Sequence, residues 1–119
     1  MPGVSLVSVV GLVVSLDGID PAELDRDGVH ESLSAVARVR AWLDAKQAEL
    51  IRRLNDLAEQ SPGTQVQSDI AAATRGNRAD ADRALKRAAA LAMVPALEQA
   101  LAAGDISAAH VDVLGHALG

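Results

Sequence analysis

The sequence predicts an all-α protein: a multi-helix bundle with one long helix and a series of short helices, including a helix-turn-helix-like hairpin. Three observations lead to this prediction. Half of the 119 residues are hydrophobic, yet the chain has one Trp and no Phe or Tyr. Alanine, the best helix former, is abundant, whereas the aromatic residues that favour strands are nearly missing. Signals that start and end helices also recur through the second half of the chain.

The composition divides the chain at about residue 28. Residues 1–28 combine an apolar segment with an acidic linker, and residues 29–119 are expected to form a helical domain that is truncated at its C-terminus. The formal charge of −5 lies entirely in residues 1–31, because residues 32–119 hold equal numbers of acidic and basic groups. Proteins that bind nucleic acids tightly are usually basic, so this balance weighs mildly against tight DNA binding by the chain alone.

The apolar segment covers residues 4–16 (VSLVSVVGLVVSL). It is too short to span a membrane, which takes about 20 apolar residues, and it lacks the basic start of a signal peptide. A buried strand, a core helix and a poorly ordered extension all fit. We favour a helix that the rest of the bundle covers. Asp20 and Pro21 then indicate the start of a short turn, and Gly28 is expected to end it.

Residues 29–60 show the longest helical periodicity. Apolar residues recur every seven positions and are joined by three others, which together predict the buried face: Val36, Leu43, Leu50 and Leu57, with Leu33, Val39 and Leu54. Lys46 and Arg53 interrupt the second position of this repeat, so we expect one face packed in a bundle rather than a two-stranded coiled coil. Trp42 and Ile51 lie partly off the stripe and are expected at its edge or in contact with a second partner. Pro62 and Gly63 should end the helix.

Four shorter helices are predicted in residues 68–118. Their start and stop signals are, in chain order, Ser68 as an N-cap, Gly76 and Asn77 as a tight turn with Asn77 capping the next helix, Pro95 as the first residue of the third helix, Gly104 as a left-handed stop, and Ser107 as the cap of the last helix.

The first two of these helices have the skeleton of a helix-turn-helix, in which small residues allow close approach and Gly76 supplies the bend. Five basic residues face only Asp80 and Asp82 and are the candidate nucleic-acid-binding residues: Arg75, Arg78, Arg83, Lys86 and Arg87. On the second helix such side chains can reach phosphates or base edges. However, Asp82 stands where these motifs bury an aliphatic residue, and Asn77 replaces another in the turn. The pattern therefore favours a plain helical hairpin in a bundle somewhat over direct binding in the major groove.

Catalytic and cofactor-binding patterns are missing from the sequence. Cysteine is absent, which excludes disulfides and thiolate metal sites. His30, His110 and His116 have no spacing that pairs two of them on a helix face. No phosphate-binding glycine loop or serine nucleophile elbow occurs. We therefore expect a chain that is not an enzyme, has no cofactor, metal or small-molecule ligand, does not enter a membrane and lies in the cytoplasm.

Within residues 30–119 the sequence resembles a known family. The stretch VPALEQALAAGDISAAHVDVL matches its pattern at seven positions: Pro95, Leu97, Leu101, Gly104, Ile106, Ser107 and His110. The family is the N-terminal domain of unknown function of actinobacterial HNH endonucleases (domain of unknown function 222). The resemblance implies a helical domain that accompanies a C-terminal HNH nuclease, with a targeting or DNA-positioning role. No HNH finger occurs in this chain, so the resemblance carries over no catalytic residue.

Double-stranded DNA is therefore one expected partner. The alternative is a protein-interaction or self-association module that forms a homo-oligomer through exposed helix faces, because the long helix is amphipathic and residues 111–118 present an apolar face. A truncated remnant without independent function is a third reading.

Overall fold

The computed structural model describes residues 6–61, 63 and 65–118, with all of their side chains except those of Leu6, Val7 and Leu118. Among these residues there are six α-helices, one 3-10 turn and no strand. The helices are α1 (Leu6–Asp17), α2 (Arg26–Glu59), α3 (Val66–Thr74), α4 (Arg78–Met93), α5 (Pro95–Ala103) and α6 (Ala108–Leu118). The prediction of an all-α bundle with one long helix and several short ones is confirmed.

Helix α2 sets the dimensions of the molecule. Its 34 residues span about 51 Å at 1.5 Å per residue, and the protein measures 54 × 28 × 26 Å. Helix α4 is the second organising element, because it contacts α2, α3, α5 and α6. Helix α1 contacts α2. The short helices are thus assembled around one pair, α2 and α4.

The core is made largely of alanine. Seven of its twelve buried residues are Ala: Ala41, Ala45, Ala48, Ile51, Ile70, Ala81, Ala84, Ala88, Ala90, Leu91, Leu101 and Val111. A methyl group holds neighbouring helices apart less than a larger side chain does, so an alanine face allows α4 and α5 to approach α2 closely. A side-chain ion pair between Arg52 of α2 and Glu98 of α5, 2.6 Å long, adds a polar link between these helices.

The predicted buried face of α2 is wrong for its leucines. Leu43, Leu50 and Leu57 are exposed by 52%, 64% and 42%, whereas Ala41, Ala45, Ala48 and Ile51 form the buried face. Each residue turns a helix by about 100°, so Leu43 lies about 160° around the helix from Ala41 and from Ala45, nearly on the opposite side. Helix α2 therefore has two apolar faces, one of leucines and one mainly of alanines, and the bundle packs against the alanine face. Leu33 is likewise exposed, whereas Val36, Val39 and Leu54 are half-buried. Ile51, which was expected at the edge of the stripe or in contact with a second partner, lies in the core.

The N-terminal segment is a helix, but the bundle does not cover it. In α1, Val9 is buried, while Val10, Val13 and Val14 are exposed by 50%, 47% and 66%. The prediction of a covered helix is therefore wrong, because α1 contacts only one side of α2 and most of its surface faces solvent. Residues 4 and 5 of the predicted segment lie outside the described residues.

The ends of the short elements follow the predicted signals with two exceptions. Asp20 caps the 3-10 turn Pro21–Glu23 as expected, but Gly28 lies inside α2. The reason is that Asp25 caps α2, accepting the Gly28 N–H at 2.7 Å. Helix α3 begins at Val66, so Ser68 lies within its first turn instead of capping it.

The two boundaries of α5 agree with their signals. Pro95 opens α5, and Gly104 ends it with a φ of 80°. Helix α2 ends at Glu59. Pro62, which was expected to end that helix together with Gly63, lies outside the described residues.

Candidate nucleic-acid interface

The α3–α4 hairpin carries the five basic residues, and its turn is built around Arg75. Arg75 has left-handed dihedral angles, with φ 57° and ψ 29°. The N–H groups of Arg75 and Gly76 bond back to the carbonyls of Ala72 and Ala71 at 3.4 and 3.0 Å, which is the Schellman arrangement. The prediction that Gly76 supplies the bend is therefore corrected. The bend is at Arg75, which follows Thr74, the last residue of α3, and precedes Gly76.

Asn77 starts α4 as predicted. Its side-chain oxygen accepts the N–H of Asp80 at 2.8 Å, which satisfies one of the free donors in the first turn. Residues 75–77 join the two helices, and a three-residue connection is the length that a helix-turn-helix uses. Asp82 lies on the exposed surface of α4, so it places no charge in the core.

Arg87 is held inside the protein by Asp112 of α6. Its Nε and Nη2 donate to the two carboxylate oxygens of Asp112 at 2.8 and 2.7 Å, a bidentate geometry that is among the strongest side-chain hydrogen bonds. The Arg87 side chain is only 17% exposed. This hydrogen bond raises the pKa of Arg87 above its ordinary value. Arg87 therefore joins α4 to α6, and this link occupies the donors that would otherwise reach a ligand.

A third charged group, Asp44 of α2, lies near this pair. Burial raises the pKa of the Asp44 carboxyl, and the charge of Asp112 acts in the same direction. The positive charges of Arg87 and Arg40 oppose this shift. Asp44 thus lies within the electrostatic influence of the Arg87–Asp112 pair, whose guanidinium hydrogen-bonds to Asp112.

Arg83 is also paired, but at the surface. It forms an ion pair with Asp80 one turn earlier on α4, and both side chains are about half exposed or more. Exposed pairs of this kind contribute little to stability, so Arg83 can exchange its partner for another anion at small cost.

The other three basic residues have no partner within the described part of the chain. Arg75, Arg78 and Lys86 are all exposed. Arg78 and Lys86 are eight residues apart on α4, which separates them by about 12 Å along the axis and about 80° around it. Arg75 precedes them at the turn. Three unpaired cations thus lie along one side of the hairpin.

A shallow groove runs beside this surface, between α4 and α6. It encloses about 480 Å³, and its lining combines the basic side chains of α4 with apolar groups such as Met93, Ala90 and Val111. Among the residues that the structure describes, no three His, Cys, Asp or Glu side chains come together in a group that could hold a metal ion. No helix over these residues is both long and apolar enough to cross a membrane.

The pairing of Arg87 with Asp112 and the role of the His110 ring were not predicted from the sequence, whereas the cap at Ser107 was. The pair Arg87–Asp112 spans 25 residues, and no local pattern announces it. By contrast, the contact between Ser107 and His110 has a local signal. The Ser107 Oγ accepts the His110 N–H at 3.3 Å, and the His110 Nδ1 accepts the Ser107 N–H at 3.1 Å. This is the reciprocal pattern of a capping box, with His in the place of the usual Glu or Gln.

Comparisons with known proteins give one match. No curated protein and no solved structure is significantly similar to the chain. A family model described as "Domain of unknown function (DUF222)" matches residues 30–119, three quarters of the sequence. The matched region includes nearly all of α2 and the whole of α3 to α6 as the structure describes them. The chain therefore belongs to this family, the domain of unknown function DUF222.

Proposed function

We propose that this domain is a non-catalytic helical module that contacts the backbone of double-stranded DNA through the α3–α4 hairpin. In the family setting that the sequence suggests, its role is to position an HNH nuclease on its substrate. The single observation that carries the proposal is that Arg75, Arg78 and Lys86 are exposed without an ion-pair partner in the described residues. Contact with chromosomal DNA implies that the protein acts in the cytoplasm.

The charge pattern favours contact with phosphates over reading of bases. Base recognition needs side chains that enter the groove with free donors, but Arg87 is committed to Asp112 and Arg83 is paired with Asp80. Three free cations can neutralise about three phosphates, so the logarithm of the binding constant should fall with the logarithm of salt at a slope of about −2.7. That slope corresponds to a loss of about 40-fold between 50 and 200 mM salt.

The test is an anisotropy titration of labelled duplex DNA at low salt. The variant Arg78→Glu/Lys86→Glu should abolish binding, because it replaces two attractive charges by two repulsive ones. The control Arg26→Glu/Arg40→Glu makes the same change in net charge on α2 and should retain most of the binding. Arg87 is left intact, since its loss would leave Asp112 without its partner and disturb the fold. Absence of binding by the unchanged protein, or equal losses in both variants, would refute the proposal.

A second candidate function is self-association, and a different surface supports it. This surface is a row of exposed leucines on α2, spaced by seven residues: Leu43, Leu50 and Leu57. They share no residue with the hairpin surface, so the two candidates can be tested independently.

A further inference from the structure

The groove between α4 and α6 changes in character along its length. The α4 residues that form its wall recur at intervals of three and four positions, and so share one face of the helix: Arg83, Lys86, Ala90 and Met93. The first two are basic and the last two are apolar. On the other wall, Val111 and Gly115 of α6 add further apolar surface. A groove with one charged end and one apolar end suits a ligand that is amphipathic in the same way.

The charged end of the groove is positive. Asp112 also lines the groove, but its two oxygens accept hydrogen bonds from Arg87 at 2.8 and 2.7 Å, so its charge is already compensated. Arg83 is paired with Asp80. Lys86 is exposed and has no ion-pair partner in the part of the chain that the structure describes. One free ammonium therefore remains at this end, and its charge is complementary to a single anionic group.

The apolar end has a closed floor and an adaptable rim. Helices α4 and α6 meet closely here, since a Cβ added to Gly115 would lie 3.0 Å from Cβ of Ala90. Ala90 and Val111 are buried and form the floor, whereas the Met93 side chain is 68% exposed. A methionine side chain is unbranched and has three rotatable bonds, so it adapts to the shape of an apolar neighbour. Met93 can therefore fold over an alkyl chain that lies on this floor.

The size of the groove indicates which kind of amphiphile fits. Its volume of about 480 Å³ extends over about 15 Å of α4, from Arg83 to Met93, which gives a mean cross-section of about 32 Å². An α-helix with its side chains is about 10–12 Å across and needs about 80–110 Å². An extended peptide is narrower, but both walls are α-helices whose backbone groups are paired along the helix, so its own backbone would find no row of partners. A single alkyl chain fits the width and has no polar backbone to satisfy.

We propose that the groove between α4 and α6 binds a single-chain anionic amphiphile, such as a medium-chain carboxylate. Its head group lies at Lys86, and its alkyl chain runs over Ala90 to Met93. Helix α4 advances about 10.5 Å from Lys86 to Met93, which is the length of about nine bonds of an extended chain at about 1.2 Å per bond. Decanoate has this length. The volume of the groove also lies within the range of about 300–1,000 Å³ that is usual for small-molecule sites.

Titration of the ¹⁵N-labelled protein with sodium decanoate, followed by amide NMR shifts without DNA, tests the site. Saturable shifts should be confined to residues 86–93 and 111–116. Hexanoate has four methylenes fewer and should bind at least about tenfold more weakly, because each buried methylene contributes up to about fourfold. Decyltrimethylammonium, with the same alkyl length and a cationic head, should also bind more weakly. Absence of saturable shifts, shifts centred on the exposed leucines of α2, or equal binding of the anion and the cation would overturn the proposal.

Two pairs of variants locate the chain and the head group. Ala89→Trp fills the groove from an exposed position in its lining and should weaken decanoate binding more than about tenfold. Ala92→Trp is the matched control, because Ala92 is equally exposed on α4 but lies outside the groove. Lys86→Gln should weaken decanoate binding about two- to fivefold without weakening that of decyltrimethylammonium, whereas Arg78→Gln should change neither. Equal effects within either pair would contradict the assigned position.

Sedimentation with lipid vesicles separates a free amphiphile from a membrane surface, since both carry anionic heads on alkyl chains. Phosphatidylglycerol vesicles should not bind the protein, because the groove accommodates one chain and the formal charge of −5 opposes an anionic surface. Binding to vesicles without binding to decanoate would show that the groove is not the site. All of these measurements are made without DNA, so their failure would leave the DNA-contact proposal to its own test.

Discussion

Replacement of Gly104 by Ala is the most direct test of how closely the short helices approach α2. Gly104 ends α5 with a φ of 80°, and a Cβ at this position would lie 2.9 Å from Cγ, 3.3 Å from Cβ and 3.4 Å from Cα of Arg38. A left-handed residue with a side chain costs about 1–2 kcal/mol, and the reduced freedom of the unfolded chain returns about 0.4–1 kcal/mol. Overpacking adds about 1–3 kcal/mol, because the atoms in the way lie at or next to the backbone. The expected net loss of stability is about 1–5 kcal/mol.

Urea denaturation followed by far-UV circular dichroism measures this loss, and Gly63→Ala is the matched control. Gly63 also has a positive φ, 91°, but nothing lies within 4 Å of its added Cβ. The left-handed conformation and the reduced freedom of the unfolded chain act there without overpacking, so the control should lose about 1.5 kcal/mol or less. If Gly104→Ala costs no more than Gly63→Ala, then α5 does not approach α2 as closely as the structure has it, and the close-packing argument fails.

Three further predictions test local features. Arg75→Gly should stabilise the protein by about 0.5–1 kcal/mol, because it relieves a left-handed arginine, whereas Gly76→Ala should be nearly neutral; the reverse order in thermal denaturation would put the bend back at Gly76. Asp44→Asn should stabilise the fold at neutral pH by less than about 1 kcal/mol. The pKa of Asp44 is raised in the folded state, so the folded protein favours the protonated carboxyl. The stability that this group contributes is complete below its unfolded pKa and is lost as the pH rises through its folded pKa. The gain from Asn should therefore vanish in acid, and a gain that stays constant with pH would contradict the raised pKa. His110→Ala should cost about 0.5–1 kcal/mol and His110→Glu should not, since Glu restores the capping box, and equal losses by chemical denaturation would show that the ring acts otherwise.

Local chemistry explains which parts of the fold were predictable. Asn77, Pro95, Gly104 and Ser107 act on the backbone within one turn of their own position, so their effects are the same whatever packs around them. The failures at Gly28 and Ser68 are also local, because an earlier residue, Asp25 in one case and Gln65 in the other, starts the helix first. Boundaries of this kind shift by a residue or two without changing the order of the helices.

The choice of the buried face was not a local matter. Both faces of α2 are apolar, and a rule that ranks residues by size chooses the leucines. The bundle chooses the alanines instead because α4 is itself alanine-rich on its inner side, with Ala81, Ala84 and Ala88 buried there. Two small faces allow close approach, which a helix read by itself does not reveal. The pairing of Arg87 with Asp112 could not be predicted from α4 alone either, because it depends on the position of α6.

The alanine core also links the two proposed activities. Burial of alanine removes less apolar surface than burial of leucine, and the fold leaves Leu43, Leu50 and Leu57 of α2 largely exposed. These leucines face away from α4, which covers the opposite side of α2. A second copy bound at these leucines, as the second candidate function has it, would therefore leave the α3–α4 hairpin of each chain uncovered. Two hairpins in one dimer would double the number of phosphates contacted, so weak contacts by single domains would reinforce one another when both engage the same duplex.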